Sequence, residues 1–159
     1  MKALVAYYSR TGNTEKLAEE IAARMGADLQ KIREERSRAG LKGAFLSCWH
    51  SFAEKKPEIK EADKVPEDYD IVILGTPVWA GNVAAPVRTF MIKHREVFDK
   101  AAFFNTFGIT RSDKIFATMQ ELVGKRPETV LGINKKLLQK DQYADRVEQF
   151  VEEIRESFA

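Results

Sequence analysis

Cysteine is nearly absent from this sequence, and so are the long apolar runs of a membrane protein. Cys48 is the single cysteine among 159 residues, so no disulfide can form within the chain, which is typical of a reducing compartment. No apolar stretch is long enough to cross a bilayer, and no signal peptide precedes the first apolar segment. We therefore expect a cytoplasmic protein without a membrane partner.

A large excess of charge of one sign is also lacking. The 26 basic and 24 acidic side chains leave a net charge of +2, and acids and bases are interspersed, as in residues 33–36. This balance gives no basic footprint for a nucleic acid, and we expect no nucleic-acid partner. Hydrophobic residues make up 44% of the chain and charged residues 31%, which is ordinary for a globular fold. The length favours a single domain over residues 1–159.

Several phosphate-binding and catalytic motifs are missing. The polar stretch Ser9-Arg10-Thr11-Gly12-Asn13-Thr14 follows a short apolar run, but Asn13 stands where a P-loop needs its lysine. Gly12 is the only glycine of the stretch, whereas a dinucleotide fingerprint needs three, and no cysteine is present there to act as a phosphatase nucleophile. His50 and His94 are isolated from any Ser, Cys or Asp pattern, and no cluster has the spacing of metal ligands. We expect no metal site and no catalytic residue of these kinds.

The same stretch lies between a predicted strand, residues 2–8, and a predicted helix, residues 14–25. A loop in that place directs backbone N–H groups and a helix N-terminus at one spot outside the sheet, and that spot attracts an anion. The hydroxyls of Ser9, Thr11 and Thr14 add donors. The loop therefore predicts a phosphate site, although taken alone it fits simple helix capping equally well.

Strands and helices alternate along the rest of the chain. Apolar periodicity predicts further strands at 27–32, 70–75, 101–106 and 129–133, and further helices at 41–55, 84–98, from Ser112 or Asp113 to Gly124, and 141–158. The pattern predicts an α/β fold, a doubly wound five-stranded parallel sheet with helices on both faces. Right-handed crossovers bring the carboxyl ends of the strands to one rim, where such folds bind ligands.

Three predicted loops meet at that rim, 9–14, 76–82 and 106–112. The second offers Trp79 as a flat surface for a ring, and the third offers a backbone that can approach a ligand closely at Gly108. A phosphate cradle at one end and an aromatic surface at the other fit flavin mononucleotide, FMN. Two alternatives stay open, that Trp79 is a packed loop anchor and that Phe107 only covers the core.

These motifs resemble those of the flavodoxin family. Ser9-Arg10-Thr11-Gly12-Asn13-Thr14 is similar to its phosphate-binding loop, and Thr76-Pro77-Val78-Trp79 is similar to its second flavin loop. The resemblance covers nearly the whole chain and implies the strand order 2-1-3-4-5, non-covalent FMN and a redox function. The cofactor-binding residues that it and the rim argument predict are Ser9, Arg10, Thr11, Gly12, Asn13, Thr14, Thr76, Pro77, Val78, Trp79, Gly81, Thr106, Phe107 and Gly108.

Three features depart from the flavodoxins that carry electrons, which are strongly acidic. This chain is slightly basic, and Arg111 stands in the third loop where an acid is expected; residues 80–86 are more like flavodoxin-like NAD(P)H-dependent reductases. The expectation is a reductase that takes electrons from NAD(P)H and reduces a small acceptor such as a quinone. The alternatives are a one-electron carrier that docks on redox partner proteins and a flavin-binding regulatory module; the oligomeric state stays open.

Overall fold

The computed structural model describes residues 1–35, 57–109 and 113–159. The predicted helix 41–55, with Cys48, Trp49 and His50, and the side chain of Arg111 lie outside the described residues. The described strands are β1 (Ala3–Tyr7), β2 (Asp28–Lys31), β3 (Ile71–Trp79), β4 (Asn82–Val83), β5 (Lys100–Phe107) and β6 (Val130–Asn134). The described helices are α1 (Asn13–Met25), α2 (Ala85–His94), α3 (Asp113–Val123), α4 (Lys135–Gln139) and α5 (Ala144–Glu156).

The main sheet has the order β2-β1-β3-β5-β6, and each of these neighbours is parallel. Counting these five strands alone, the order is the predicted 2-1-3-4-5, which confirms the fold class. The two-residue strand β4 was not predicted; it pairs antiparallel with the end of β3, Val78 opposite Val83 and Trp79 opposite Asn82.

Alternating side chains of the central strands form a core on each face of the sheet. Val5, Ile73 and Phe104 contribute to the core under α1 and α5, whereas Leu4 and Phe103 contribute to the core under α2 and α3. All five residues of β1 are buried, as expected for a parallel strand covered on both faces. This packing makes the sheet a rigid base for whatever lies at its rim.

Strand β3 is longer than predicted, and the second rim segment is therefore mostly strand rather than loop. Thr76 and Pro77 continue the ladder to β5, opposite Asn105 and Thr106. Pairing with β1 ends at Gly75, so Pro77, which has no N–H to donate, falls where β3 has no neighbour on that side, a position proline tolerates. The third segment likewise begins later than predicted, because Thr106 and Phe107 belong to β5.

Some of the predicted helix ends agree with the structure and others differ. Gly26 and Gly124 end α1 and α3 as predicted. Helix α2 ends at His94 and continues as a 3-10 turn to Val97, and the last helix begins at Ala144 rather than at 141 because a separate short helix, α4, precedes it. No helix in the described part of the chain is long and apolar enough to cross a membrane.

Candidate functional site

The first rim loop joins β1 to α1 and is shaped by Gly12. Gly12 is the N-cap residue of α1 with φ 89° and ψ −11°, a left-handed conformation that glycine adopts without steric cost. Its N–H donates to Ser9 Oγ at 3.1 Å, and its carbonyl accepts the first helical hydrogen bond, from Lys16 at 2.9 Å. Because the N-cap residue is a glycine, it has no side chain of its own with which to cap α1. Among the described residues, the loop hydroxyl that bonds a backbone N–H here is that of Ser9, and it bonds the N–H of Gly12.

The threonines of this loop play different parts. Thr11 is exposed, and its hydroxyl accepts from Asn13 Nδ2 at 3.2 Å. Thr14 is only 1% exposed, and its hydroxyl lies 2.8 Å from that of Thr106 at the end of β5. A hydroxyl has one donor and two acceptor positions, so Thr14 can bond Thr106 and a phosphate oxygen together. This contact joins the first and third rim segments.

The acid in the first turn of α1 does not oppose an anion at the loop. Glu15 accepts from Lys31 Nζ at 2.7 Å and from the Tyr7 hydroxyl at 2.9 Å. The hydrogen bond from Lys31 is the main reason that the pKa of Glu15 lies below its usual value. Burial, followed by the bond to Glu15, raises the pKa of Tyr7. The negative charge is therefore matched by Lys31, while the positive end of the α1 dipole stays directed at the loop.

The second rim segment is a tight hairpin that presents Trp79. Ala80 and Gly81, which connect β3 to β4, both have positive φ, 47° and 73°, as a two-residue type I′ turn requires. The hydroxyl of Thr76 accepts from the N–H of Ala84 at 3.0 Å and donates to the carbonyl of Pro77 at 2.9 Å. Thr76 is fully buried, so its side chain serves the hairpin. Pro77 and Val78 are buried beside it.

Trp79 is half-buried at the last position of β3. Its ring meets that of Tyr8 edge to face, with centroids 5.7 Å apart and planes at 85°, and it packs on the core under α2 and α3. The Tyr8 hydroxyl donates to Glu34 Oε1 at 2.6 Å. Part of the Trp79 ring therefore packs as a loop anchor, which was the alternative interpretation of this residue, and part of it is exposed at the rim.

The third rim segment combines a buried and an exposed part. Phe107 is half-buried and packs on the core under α2 and α3, while Gly108 is exposed. The carbonyl of Gly108 accepts from Asn134 Nδ2 at 2.7 Å. Asn134 also accepts from the N–H of Lys136 at 2.9 Å and so caps α4. Sequence reasoning missed Asn134, although an Asn directly before a run of good helix formers is a recognisable cap signal.

Helix α4 adds positive charge at this side of the rim. Lys135, Lys136 and Lys140 lie in or directly after it, and Lys16 of α1 reaches the Leu138 carbonyl at 3.4 Å and Asp141 at 2.6 Å. Lys16 is paired with the carboxylate of Asp141, and Lys135, Lys136 and Lys140 add three further positive charges in and beside α4.

The structure brings most of the predicted residues to one rim. Thr14 contacts Thr106, Tyr8 contacts Trp79, and the N–H of Tyr8 donates to the Gly75 carbonyl at 3.2 Å. Arg10 is exposed, Asn13 and Gly81 are half-buried, and direct contact of each predicted residue with a flavin stays a prediction. In the described residues no group of three or more His, Cys, Asp or Glu side chains could hold a metal ion.

Fold and rim together define an open α/β protein with a glycine-shaped loop at the N-terminus of α1 and a half-buried tryptophan at the carboxyl edge of its sheet. The sequence model of a family described as Flavodoxin matches residues 2–154. The chain therefore belongs to the flavodoxin family.

Solved structures agree on the fold. A flavoprotein from Lactobacillus acidophilus NCFM, crystallised in complex with FMN, is 24% identical, with a TM-score of 0.68 over 87% of this chain and 97% of that one. A protein of Bacteroides uniformis ATCC 8492 assigned as a flavoprotein is 21% identical, with a TM-score of 0.73 over 95% and 97%. A flavodoxin from the domain Archaea is 20% identical, with a TM-score of 0.54 over 94% and 99%. At these identities the likeness establishes the fold.

Proposed function

We propose that this protein binds FMN at the rim and works as an FMN-dependent oxidoreductase that accepts electrons from NAD(P)H and passes them to a small acceptor such as a quinone. The FMN assignment is supported by the family, by the FMN-bound structure of the Lactobacillus flavoprotein and by the donor set of the first loop. When bound, FMN supplies one- and two-electron redox chemistry that side chains lack.

The first loop would hold the phosphate. The first turn of α1, whose N-cap residue is a glycine without a capping side chain, offers backbone N–H groups and the positive end of a helix dipole, about half an elementary charge. Thr11 and Thr14 add hydroxyls, and Arg10 is exposed beside them. One helix end suits one terminal phosphate, and no second glycine-rich turn is present for the pyrophosphate of FAD.

The second and third segments would hold the ring. Trp79, half-buried on a hairpin, offers an aromatic surface, and the exposed backbone at Gly108 offers polar groups for a ring edge. The bond from Asn134 to the Gly108 carbonyl, 2.7 Å, keeps that backbone in place, so the ring would enter a site whose walls are already positioned.

The single observation that favours a reductase is the sign of the charge at the rim. Two-electron reduction adds negative charge to the cofactor, and a nearby cation stabilises that charge. Lys135, Lys136 and Lys140, in or directly after α4, supply this on one side, while the charge of Lys16 is matched by Asp141 at 2.6 Å. Acidic side chains near the cofactor would instead destabilise the negative charge that reduction adds. We infer a cofactor that is easily taken to its two-electron form, which suits hydride transfer from NAD(P)H.

Anaerobic titration of the purified holoprotein with NADH and NADPH, followed by visible spectra, tests this proposal. We expect direct loss of flavin absorbance with at least one of them, and onward reduction of a quinone. Denaturation should release FMN; FAD as the main species would refute the cofactor assignment. The family description as Flavodoxin favours a second candidate, the one-electron carrier, and inertness to both nucleotides with slow, stepwise photoreduction would establish it instead.

A further inference from the structure

Tyr8 lies at the rim but belongs neither to the first rim loop, residues 9–14, nor to the hairpin that carries Trp79. It follows the last residue of β1, and its N–H is fixed on the Gly75 carbonyl at 3.2 Å. Its ring is half-buried and extends toward the α2 and α3 face, where it meets Trp79 edge to face at 5.7 Å. Tyr8 thus connects the end of β1, directly before the first rim loop, to Trp79.

The hydroxyl of Tyr8 is held from the other side. It donates to Glu34 Oε1 at 2.6 Å, the length of a charge-assisted hydrogen bond. Burial of the ring, followed by this bond, raises the pKa of Tyr8, so the hydroxyl keeps its proton at neutral pH. The bond therefore fixes the direction in which the Tyr8 ring points.

Glu34 in turn is anchored by the backbone. It forms an isolated antiparallel bridge with Ile59, and the flanking bonds run from Glu35 N–H to Glu58 O and from Lys60 N–H to Arg33 O, each at 2.8 Å. These bonds order the backbone at Glu34, so its carboxylate reaches Tyr8 from a segment that is itself hydrogen-bonded.

Trp79 has fewer constraints of its own. It is the last residue of β3, its strand partner β4 has two residues, and a two-residue turn follows. The backbone is ordered by this hairpin, but the orientation of the indole about its side-chain bonds depends on what lies beside it. A ring held in one orientation before binding loses less freedom when a ligand stacks on it.

We propose that Tyr8 and Glu34 are positioning residues that hold the Trp79 indole in its flavin-binding orientation, through the chain Glu34 carboxylate, Tyr8 hydroxyl, Tyr8 ring, Trp79 ring. This inference rests on the proposed function for its cofactor arm, because it takes Trp79 as a flavin contact. The fluorescence experiment described next does not depend on the proposed function, since the mobility of the Trp79 indole can be measured without cofactor.

The first experiment measures time-resolved fluorescence anisotropy of Trp79 in apoprotein with Trp49→Phe as background, so that Trp79 is the single emitter. Tyr8→Phe keeps the ring but removes the bond to Glu34, and Tyr8→Leu removes the ring contact. We expect the indole to gain fast local motion in the order wild type, Tyr8→Phe, Tyr8→Leu. Unchanged anisotropy decay in both variants would overturn the proposal.

Tyr7→Phe is a matched control. Tyr7 also donates its hydroxyl to a glutamate, Glu15 at 2.9 Å, and also has a raised pKa, but it lies on the α1 face and belongs to the other core. It loses a comparable bond and should leave the Trp79 decay as in wild type. An equal effect of Tyr7→Phe would show a general loosening of the fold and would contradict a specific role for Tyr8.

A second pair of variants tests whether Glu34 acts through the hydrogen bond that it accepts from Tyr8. Glu34→Gln keeps an oxygen that can accept from Tyr8, whereas Glu34→Ala keeps none. We expect the Gln variant to retain the wild-type decay and the Ala variant to match Tyr8→Phe, with no further change in the double variant. Additive effects of Tyr8→Phe and Glu34→Ala would mean that the two residues act independently.

The cofactor arm measures dissociation constants of FMN and riboflavin. Tyr8→Phe should weaken both flavins by the same factor, about 2–10, because ordering Trp79 affects ring binding and not phosphate binding. A loss confined to FMN would place the effect at the phosphate loop and overturn the positioning role. If the wild type itself bound neither flavin, the proposed function would fail, while the anisotropy arm would still report on Tyr8.

Discussion

The two ends of the proposed flavin site, one for the phosphate and one for the ring, are built on different principles. At the phosphate end, residues close together in sequence do the work: Ser9 bonds the backbone of Gly12, and α1 begins at the next residue. At the ring end, a local hairpin carries Trp79, but its surroundings come from distant parts of the chain, as in the contacts of Tyr8 with Trp79 and of Asn134 with Gly108. One contact, between Thr14 and Thr106, links the two ends. Substitutions should therefore affect FMN and riboflavin differently at each end.

The largest expected effect lies at the phosphate end. Thr14→Val removes a buried hydroxyl that faces Thr106 and that, in the proposed FMN complex, bonds a phosphate oxygen. A hydrogen bond to a charged group contributes about 1.5–3 kcal/mol, so FMN affinity should fall by that amount while riboflavin affinity stays nearly unchanged. Isothermal titration with both flavins measures the difference. Equal losses for the two ligands would show that the phosphate is held elsewhere.

Thr118→Val supplies the control for that substitution. Its hydroxyl donates to a backbone carbonyl of its own helix, Lys114 O, at 3.1 Å, and it lies on α3 away from the loop. It should leave both affinities unchanged.

The ring end should show the opposite selectivity. Trp79→Leu keeps an apolar side chain at the end of β3 but removes the stacking surface, which is worth about 1–3 kcal/mol in related ring-stacking cases. FMN and riboflavin should lose the same amount. In the Trp49→Phe background, Trp79 emission should also be strongly quenched by FMN. Emission that does not change on adding FMN would rule out the contact.

A smaller effect is expected at the turn that carries Trp79. Ala80 has φ 47°, a conformation in which an L side chain is strained and glycine is not. Ala80→Gly should raise the free energy of unfolding by about 0.5–1 kcal/mol, because relief of the strain exceeds the added entropy of the unfolded chain. Thermal unfolding of the apoprotein measures it. A fall in stability would mean that the methyl group of Ala80 contributes packing that outweighs the strain.

The same contrast explains what could be predicted from the sequence. The first loop, the strand order and the rim were predictable because strand periodicity, turn residues and right-handed crossovers are local or general rules. The end of β3 was not predictable from the sequence, because Thr76 and Pro77 stay in the sheet through pairing with Asn105 and Thr106. Nor was the Thr14–Thr106 contact, which spans 92 positions. Single-sequence patterns carry no information about such pairs.

The smallest expected effect concerns the charge of the lysines in and beside α4. It sharpens the comparison because these lysines are proposed to act on the flavin through their electric field, and belong to neither end of the site. Reversing Lys135, Lys136 and Lys140 to Glu replaces the positive charge beside the rim with negative charge. Two-electron reduction of the flavin should become harder, so the second reduction potential should fall and more half-reduced flavin should accumulate. Because exposed charges are screened by salt, the shift should shrink at high ionic strength, and we predict its direction only.

Lys93→Glu is the matched control, since Lys93 is exposed in the last turn of α2, at the opposite rim of the sheet. It should move the potential less than a single reversal at Lys136. Arg111→Glu extends the test to the third segment and should lower the second potential as well. Spectroelectrochemistry at two salt concentrations measures all of these. A strongly negative second potential in the wild type, with a long-lived half-reduced flavin, would show that the lysines of α4 do not dominate the charge at the ring, and it would favour the one-electron carrier over the reductase.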